Sequence, residues 1–186
     1  MRQNPPDLLA MIARLIGTPS VSSVSRDLDQ GNRAVIDLLA GWLEDAGFAV
    51  EVMALDGEPD RANLIATLGR GPGGLVLSGH TDTVPWDDGD WQHDPFALTE
   101  ADGRLYGLGT ADMKAFLGLA IEALRDIRPQ DLREPVIILA TADEETSMAG
   151  ARTLVERDAV HARHALSGEP TGMRPGRMHK GMMMEA

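Results

Sequence analysis

Apolar positions along this chain recur at two periods, and each period predicts a different element. In 7–17, DLLAMIARLIG, they fall at 8, 9, 11, 12, 15 and 16, the stripe of an amphipathic helix, with Asp7 to cap its start and Gly17 to end it. A second helical stripe covers 29–46 through Ala34, Val35, Leu38, Leu39, Trp42 and Leu43, and stops at Gly47. FAVEVMAL, 48–55, alternates as a strand does, and NLIATLG, 63–69, predicts another. GLVLSG, 74–79, is a short apolar run of the kind found in a sheet covered on both faces. FALTEADGRLYG, 96–107, reads as a hairpin turning at Asp102-Gly103. MKAFLGLAIEALRDI, 113–127, is an apolar helix, and PVIILATA, 135–142, is the clearest buried strand. SMAGARTLVER, 147–157, is a helix that Ser147 can cap, and HALSGEP, 164–170, is a last short strand running into a turn. No internal repeat or low-complexity linker interrupts this order. Strands alternate with helices, so the predicted class is α/β, a mostly parallel twisted sheet flanked by helices.

The polar chemistry collects where these strands end. LVLSG delivers His80 and Asp82, VIILATAD delivers Glu144 and Glu145, and HALSG delivers Glu169. Asp112 follows GLGTA, just before a helix. Ligands of open α/β sheets bind outside the carboxyl ends of the strands. Taken singly, each residue has a structural reading: a satisfied imidazole, a helix cap, a solvated helix entry, a turn. Taken together, one imidazole and five carboxylates at one sheet edge would repel one another strongly unless cations neutralised them. A donor set of imidazole and carboxylate without sulfur suits zinc, cobalt or manganese. His80 and Asp82 lie two residues apart and so share a strand face, where they can cooperate.

Composition narrows the setting. With 186 residues, 43% of them hydrophobic, the chain can bury the core of one domain. It has no cysteine, which excludes disulfides and thiolate metal sites. The net charge of −12 argues against nucleic acid and anionic membranes as partners. The first twenty residues hold apolar pairs rather than a continuous signal-peptide core, and no run approaches the roughly 18 apolar residues of a membrane span. The expectation is a cytoplasmic protein.

Four motifs in order, SGHTDTVPWDDGDWQHDPF, LYGLGTADMK, ATADEETSMAGAR and SGEPT, resemble the dinuclear metallopeptidase and deacylase family. That family also holds succinyl-diaminopimelate desuccinylase, aminoacylases and carboxypeptidase G, and the likeness covers nearly the whole chain. It implies a zinc-peptidase-like catalytic domain that hydrolyses linear amides of small N-acylated amino acids with two divalent ions, Zn2+ or Co2+. Position by position, it makes His80 a terminal ligand of one metal, shared with Glu169, and Asp112 the bridging carboxylate, followed by a cis peptide. Glu145 becomes a ligand of the second metal, Glu144 the general base, and Asp82 the partner that orients the His80 ring. Two dications against Asp112, Glu145 and Glu169 leave one positive charge, which a hydroxide cancels.

The resemblance also implies what is missing. The family keeps one further histidine ligand, far downstream in a chain about twice as long, and an inserted lid domain through which its members form homodimers. Residues 1–178 are therefore read as the N-terminal part of the catalytic domain, and 179–186 as the start of the crossing to the lid. None of His93, His161, His164 and His179 matches the missing ligand. His93 sits in the acidic loop 87–94 and is read as solvated. His161 and His164 are read as surface residues, and His179 as a hinge residue with a ligand role as its alternative. A metal-binding but catalytically inactive domain is the competing reading, along with a related desuccinylase or dipeptidase. A serine hydrolase built on Ser78, His80 and Asp82 fails, because no G-x-S-x-G elbow exposes the serine. Calcium binding by DDGD fails for want of EF-hand spacing.

Overall fold

The computed structural model describes residues 4–86 and 90–177; His179, the 179–186 crossing and part of the acidic loop lie outside these. The sequence-predicted elements form as follows. Helix α1 spans Leu8–Ile16, with Asp7 accepting from Ala10 N at 2.9 Å as its cap. Helix α2 spans Arg33–Asp45, β1 Ala49–Leu55, β2 Glu58–Leu68 and β3 Leu75–His80. The hairpin is β4, Thr99–Ala101, and β5, Arg104–Tyr106. Helix α3 spans Lys114–Ala123, β6 Val136–Thr141, α4 Ala149–Glu156 and β7 His164–Ser167. Among the described residues no helix is long and apolar enough to cross a membrane.

Five strands make one sheet in the order β1-β2-β6-β3-β7. The class is α/β as expected, but the sheet is mixed. β6-β3 and β3-β7 pair parallel, whereas β1-β2 and β2-β6 pair antiparallel. The β1-β2 pair is antiparallel because a tight turn at Asp56-Gly57 joins the two strands and leaves no room for a crossover.

Alternation along each strand feeds two cores. Ala62, Leu64, Ala66 and Leu68 of β2, with Ile138 and Ala140 of β6, pack against α1, α2 and α3. The intervening Ile65 and Ile137 join Met53 and Val76 on the other face, where Leu154 of α4 covers them. Three helices thus load one face and a single short helix the other.

Several elements differ from the sequence expectation. Helix α4 starts at Ala149 with Met148, not Ser147, at its N-cap position and no side-chain cap, because Ser147 Oγ donates to Asp143 instead. Helix α2 starts at Arg33 rather than near 29, because the residues before it are tied elsewhere. Asp29 accepts from Ser23 N and Arg61 Nη2, and the buried Asn32 side chain bonds both Ala62 N (2.9 Å) and Ala62 O (2.8 Å). Strand β2 starts at Glu58, five residues earlier than expected, as the returning arm of the β1 hairpin.

The fold brings α3 hard against the strand ends. A Cβ on Gly168 would stand 2.1 Å from the Phe116 ring, so only glycine allows this approach. The approach sets the start of α3, with Asp112 before it, beside the ends of β3 and β7. Gly168→Ala is expected to cost about 1–3 kcal/mol by overpacking, read by urea denaturation. An unchanged midpoint would show that Phe116 moves aside freely.

Candidate metal centre

His80 is the last residue of β3 and is buried. Its two nitrogens face different partners. Nδ1 lies 3.0 Å from the Asp82 main-chain oxygen and 3.6 Å from Asp82 Oδ1. Nε2 lies 3.0 Å from Asp112 Oδ1. Asp112 is followed by a cis peptide to Met113, as the resemblance implied.

The predicted residues converge. Donor atoms of His80, Asp112 and Glu169 all lie within 4.8 Å of one another, and so do those of His80, Glu144 and Glu145. His80 belongs to both sets, Asp112 to the first and Glu145 to the second. Glu144 and Glu169 also line one end of a groove of about 460 Å³, walled by Leu139, Leu154 and Val160.

Asp82 holds more than the imidazole. Its Oδ2 accepts from Glu145 N at 3.0 Å, which ties the β3 end to the loop after β6. Its Oδ1 is buried without a hydrogen-bond partner, an unsatisfied anionic atom behind the His80 ring. Such an atom favours positive charge on that imidazole, from a proton or from a cation at Nε2. The donor set is therefore suited to a divalent ion: one imidazole and carboxylates, converging from four segments, with acid charge in excess.

The electrostatics carry the same sign. Burial pushes the His80 pKa down, but the Asp82 carboxylate beside the ring, with the charges of Glu144 and Glu145, outweighs it and raises the value to about 9. Burial, reinforced by Asp112, Glu144 and Asp82 against an opposing His80, lifts Glu145 to about 7. Burial, with Asp112 and Glu144, also raises Glu169.

Several neighbours were passed over in the sequence reading. Lys114 is wholly buried, donating to Thr18 O at 3.0 Å and Ser20 Oγ at 3.4 Å. Burial lowers its pKa to about 8, and the charge of Asp82 offsets only part of this. A lone lysine in the apolar run MKAFLGLAIEAL was the available signal. Asn63 accepts from Ala142 N and donates to Gly150 O, closing the base of the loop that bears the two glutamates. Asp143, buried beside them, is also pushed up by burial. Bonds from Ser147, Ser22 and Thr146 and the charge of Arg61 prevail and lower it. His93 is half-buried, its ring centroid 5.0 Å from that of Tyr106, and is thus packed rather than solvated. His161 and His164 are exposed, as expected.

His80 and Glu145 both bind protons more tightly in the folded chain than in the unfolded one. Their contribution to stability is complete below the ordinary values of 6.5 and 4.5 and drains away as pH climbs through about 9 and about 7. Lys114, shifted the other way, acts only above about 8. The metal-free chain should therefore melt at falling temperature between about pH 5 and about pH 8. Calorimetry in chelator measures this, and a rising Tm across that window contradicts the site's electrostatics.

Residues 76–182, a span that includes every converging residue, match the model of peptidase family M20/M25/M40. The chain is 52% identical over 186 residues to the acetylornithine deacetylases of Pectobacterium carotovorum subsp. carotovorum (strain PC1) and Klebsiella pneumoniae (strain 342). The match takes in 100% of this chain and 49% of each relative, so the chain spans about half the length of the curated relatives it matches. Among solved structures, human carnosine dipeptidase 1 superposes with a TM-score of 0.73 at 24% identity, over 86% of this chain and 38% of its own. An M20 family metallo-carboxypeptidase from Sulfolobus solfataricus gives 0.70 at 21%, over 88% and 37%. These two are likenesses of fold. The family expected from the four motifs is thus borne out by the sequence match that runs through them, and the chain belongs to peptidase family M20/M25/M40.

Proposed function

We propose that these residues form the metal-binding face of a metal-dependent amide hydrolase, an N-acetylornithine deacetylase that releases acetate and L-ornithine in arginine biosynthesis in the cytoplasm. The observation that carries the reading is the convergence of two donor sets on His80 from four separate segments. The 52% identity to acetylornithine deacetylases along the full chain supports the choice of substrate.

In this reading His80, Asp112 and Glu169 would hold one ion and Glu145, beside His80, would hold the other; the ions would be Zn2+ or Co2+. Bound dications supply Lewis acidity, lowering the pKa of a water toward roughly 7 and polarising the amide carbonyl. Glu144, beside His80 and lining the groove, would serve as the base toward that water and then as the acid toward the leaving amine. Asp82 fixes the His80 ring from behind and holds the Glu145 amide. Residues 1–178 make the front part of the catalytic domain, with 179–186 leading toward a lid. The second reading is a chain that binds metal without turning over substrate.

Metal analysis with acetylornithine hydrolysis, on this chain and on one extended to the relatives' length, separates the two. Chelation should lower Tm: at free metal 100 times Kd the lost stabilisation is about 2.7 kcal/mol, roughly 5–10 °C for a chain of this size. A melt insensitive to chelator would remove the metal from the proposal. Glu144→Gln should lower kcat by about 10²–10⁴-fold with metal content intact. Loss of metal instead would exchange the roles of the two glutamates.

A further inference from the structure

Two consecutive glutamates reach the same site, and an extended backbone forbids this. Successive strand side chains point to opposite faces, yet Glu144 and Glu145 both place a carboxylate oxygen within 4.8 Å of a His80 nitrogen. The chain must leave the strand conformation just before them. It does so at Asp143, whose φ of 57° lies in the left-handed region that residues other than glycine seldom adopt. Met148, at φ 56°, closes the turn, donating its N–H to Asp143 O at 2.7 Å.

Glycine would take this φ at no steric cost. An aspartate stands there instead, and its side chain is fully engaged. Asp143 Oδ1 accepts from Ser22 Oγ at 2.6 Å and Thr146 Oγ1 at 2.7 Å, and Oδ2 accepts from Ser147 Oγ. Arg61 Nη2 lies 3.5 Å from Oδ1, and that guanidinium is braced by Asp29 at 2.6 Å and Glu58 at 2.7 Å. Asp143 belongs to neither donor set. It works from behind the loop, while Asp82 grips the Glu145 amide from the front. Ser22 lies 121 residues earlier in sequence, so the clamp joins parts of the fold that share no local structure.

We propose that Asp143 is a positioning residue: its carboxylate, clamped by Ser22, Thr146 and Ser147 and backed by Arg61, fixes the left-handed turn that aims Glu144 and Glu145 together at the metal centre. The proposal rests on the metal-hydrolase reading and names the part of the chain that sets its geometry.

Three substitutions separate the side chain from the backbone angle. Asparagine tolerates the left-handed region, still accepts from Ser22 and Thr146, and can donate to Ser147 Oγ. Glycine keeps the angle and loses every clamp. Alanine loses both. Co2+ titration of the metal-free chain, followed by d–d absorption, should give Asp143→Asn an affinity within about threefold of the parent. Asp143→Gly and Asp143→Ala should lose about tenfold or more, with altered band intensities. Hydrogen exchange should rise over 143–149 in the glycine variant and stay near parental in the asparagine variant. Ser22→Ala, which touches no donor residue, should weaken Co2+ binding in the same direction. A glycine variant that binds Co2+ and protects its amides as the parent does overturns the proposal and leaves the metal reading intact. A parent chain that takes up no Co2+ sinks the metal reading, and this proposal with it.

Discussion

Like-charge repulsion at the carboxyl ends of β3, β6 and β7 is the constraint on which the rest of the structure turns. Asp82, Asp112, Glu144, Glu145 and Glu169 are all drawn toward one imidazole. In the absence of metal, protons relieve it within the cluster: His80 is raised to about 9, Glu145 to about 7, and Glu169 is raised as well. A divalent ion relieves the same repulsion by displacing those protons, so metal affinity and proton affinity are two readings of one field. Cations are placed around the cluster rather than in it. Buried Lys114 interacts through its charge with Asp82, and half-buried Arg61 lies 3.5 Å from Asp143. They moderate the acid charge without occupying the donor positions.

Holding such a cluster together demands backbone that does not yield, and the described contacts show how it is held. The parallel pairing of β3 with β6 aligns His80 with Thr141, so the two strands stop level and their following loops meet. Segment 20–22 runs alongside 81–83, with Ser22 N donating to Thr83 O and Thr83 N to Ser20 O, and this braces the turn that carries Asp82. The loop after β6 is closed at its base, where a Cβ on Gly150 would stand 2.4 Å from Ala142 O. Hydrogen bonds between distant segments thus do what a disulfide could not do in a chain without cysteine.

The sequence reading found what local periodicity can find. Helix α1 with its Asp7 cap, the apolar runs of β3 and β6, and the arrival of His80, Glu144, Glu145 and Glu169 just past strand ends were all legible. So was Asp112, and the cis peptide after it came with the family resemblance. Strand β2 was half missed because its first residues, EPDRA, are charged and carry Pro59, as suits an edge beside a hairpin turn. Yet Asp56-Gly57 is the same turn signal that located β4 and β5, and it was there to be used. The start of α2 was misplaced because Asp29 and Asn32, good capping residues by type, spend their side chains on Arg61 and Ala62. No local pattern announces that a polar residue will bond across the fold. For the same reason Ser22, Arg61, Asn63 and Lys114 stayed silent until the strands were assembled.

The two donor sets are unequally supported, and this bears on how the site works. Buried His80 and Asp82 are linked to the Glu145 amide by a chain of contacts. Asp112 is half-exposed, and Glu169 hangs from β7, whose residues are exposed along its whole length. A parallel strand is ordinarily covered on both faces, so β7 is the least covered element carrying one of the converging carboxylates. The firmer bracing therefore lies on the side of Glu144 and Glu145, where the proposed mechanism moves a proton over a fixed distance. Freedom lies on the side of Asp112 and Glu169, where donors need only close upon a cation. Coordination tolerates small displacement of a long carboxylate arm, whereas proton transfer fails when base and nucleophile drift apart by an ångström. The clamp on Asp143 stands where that tolerance is smallest.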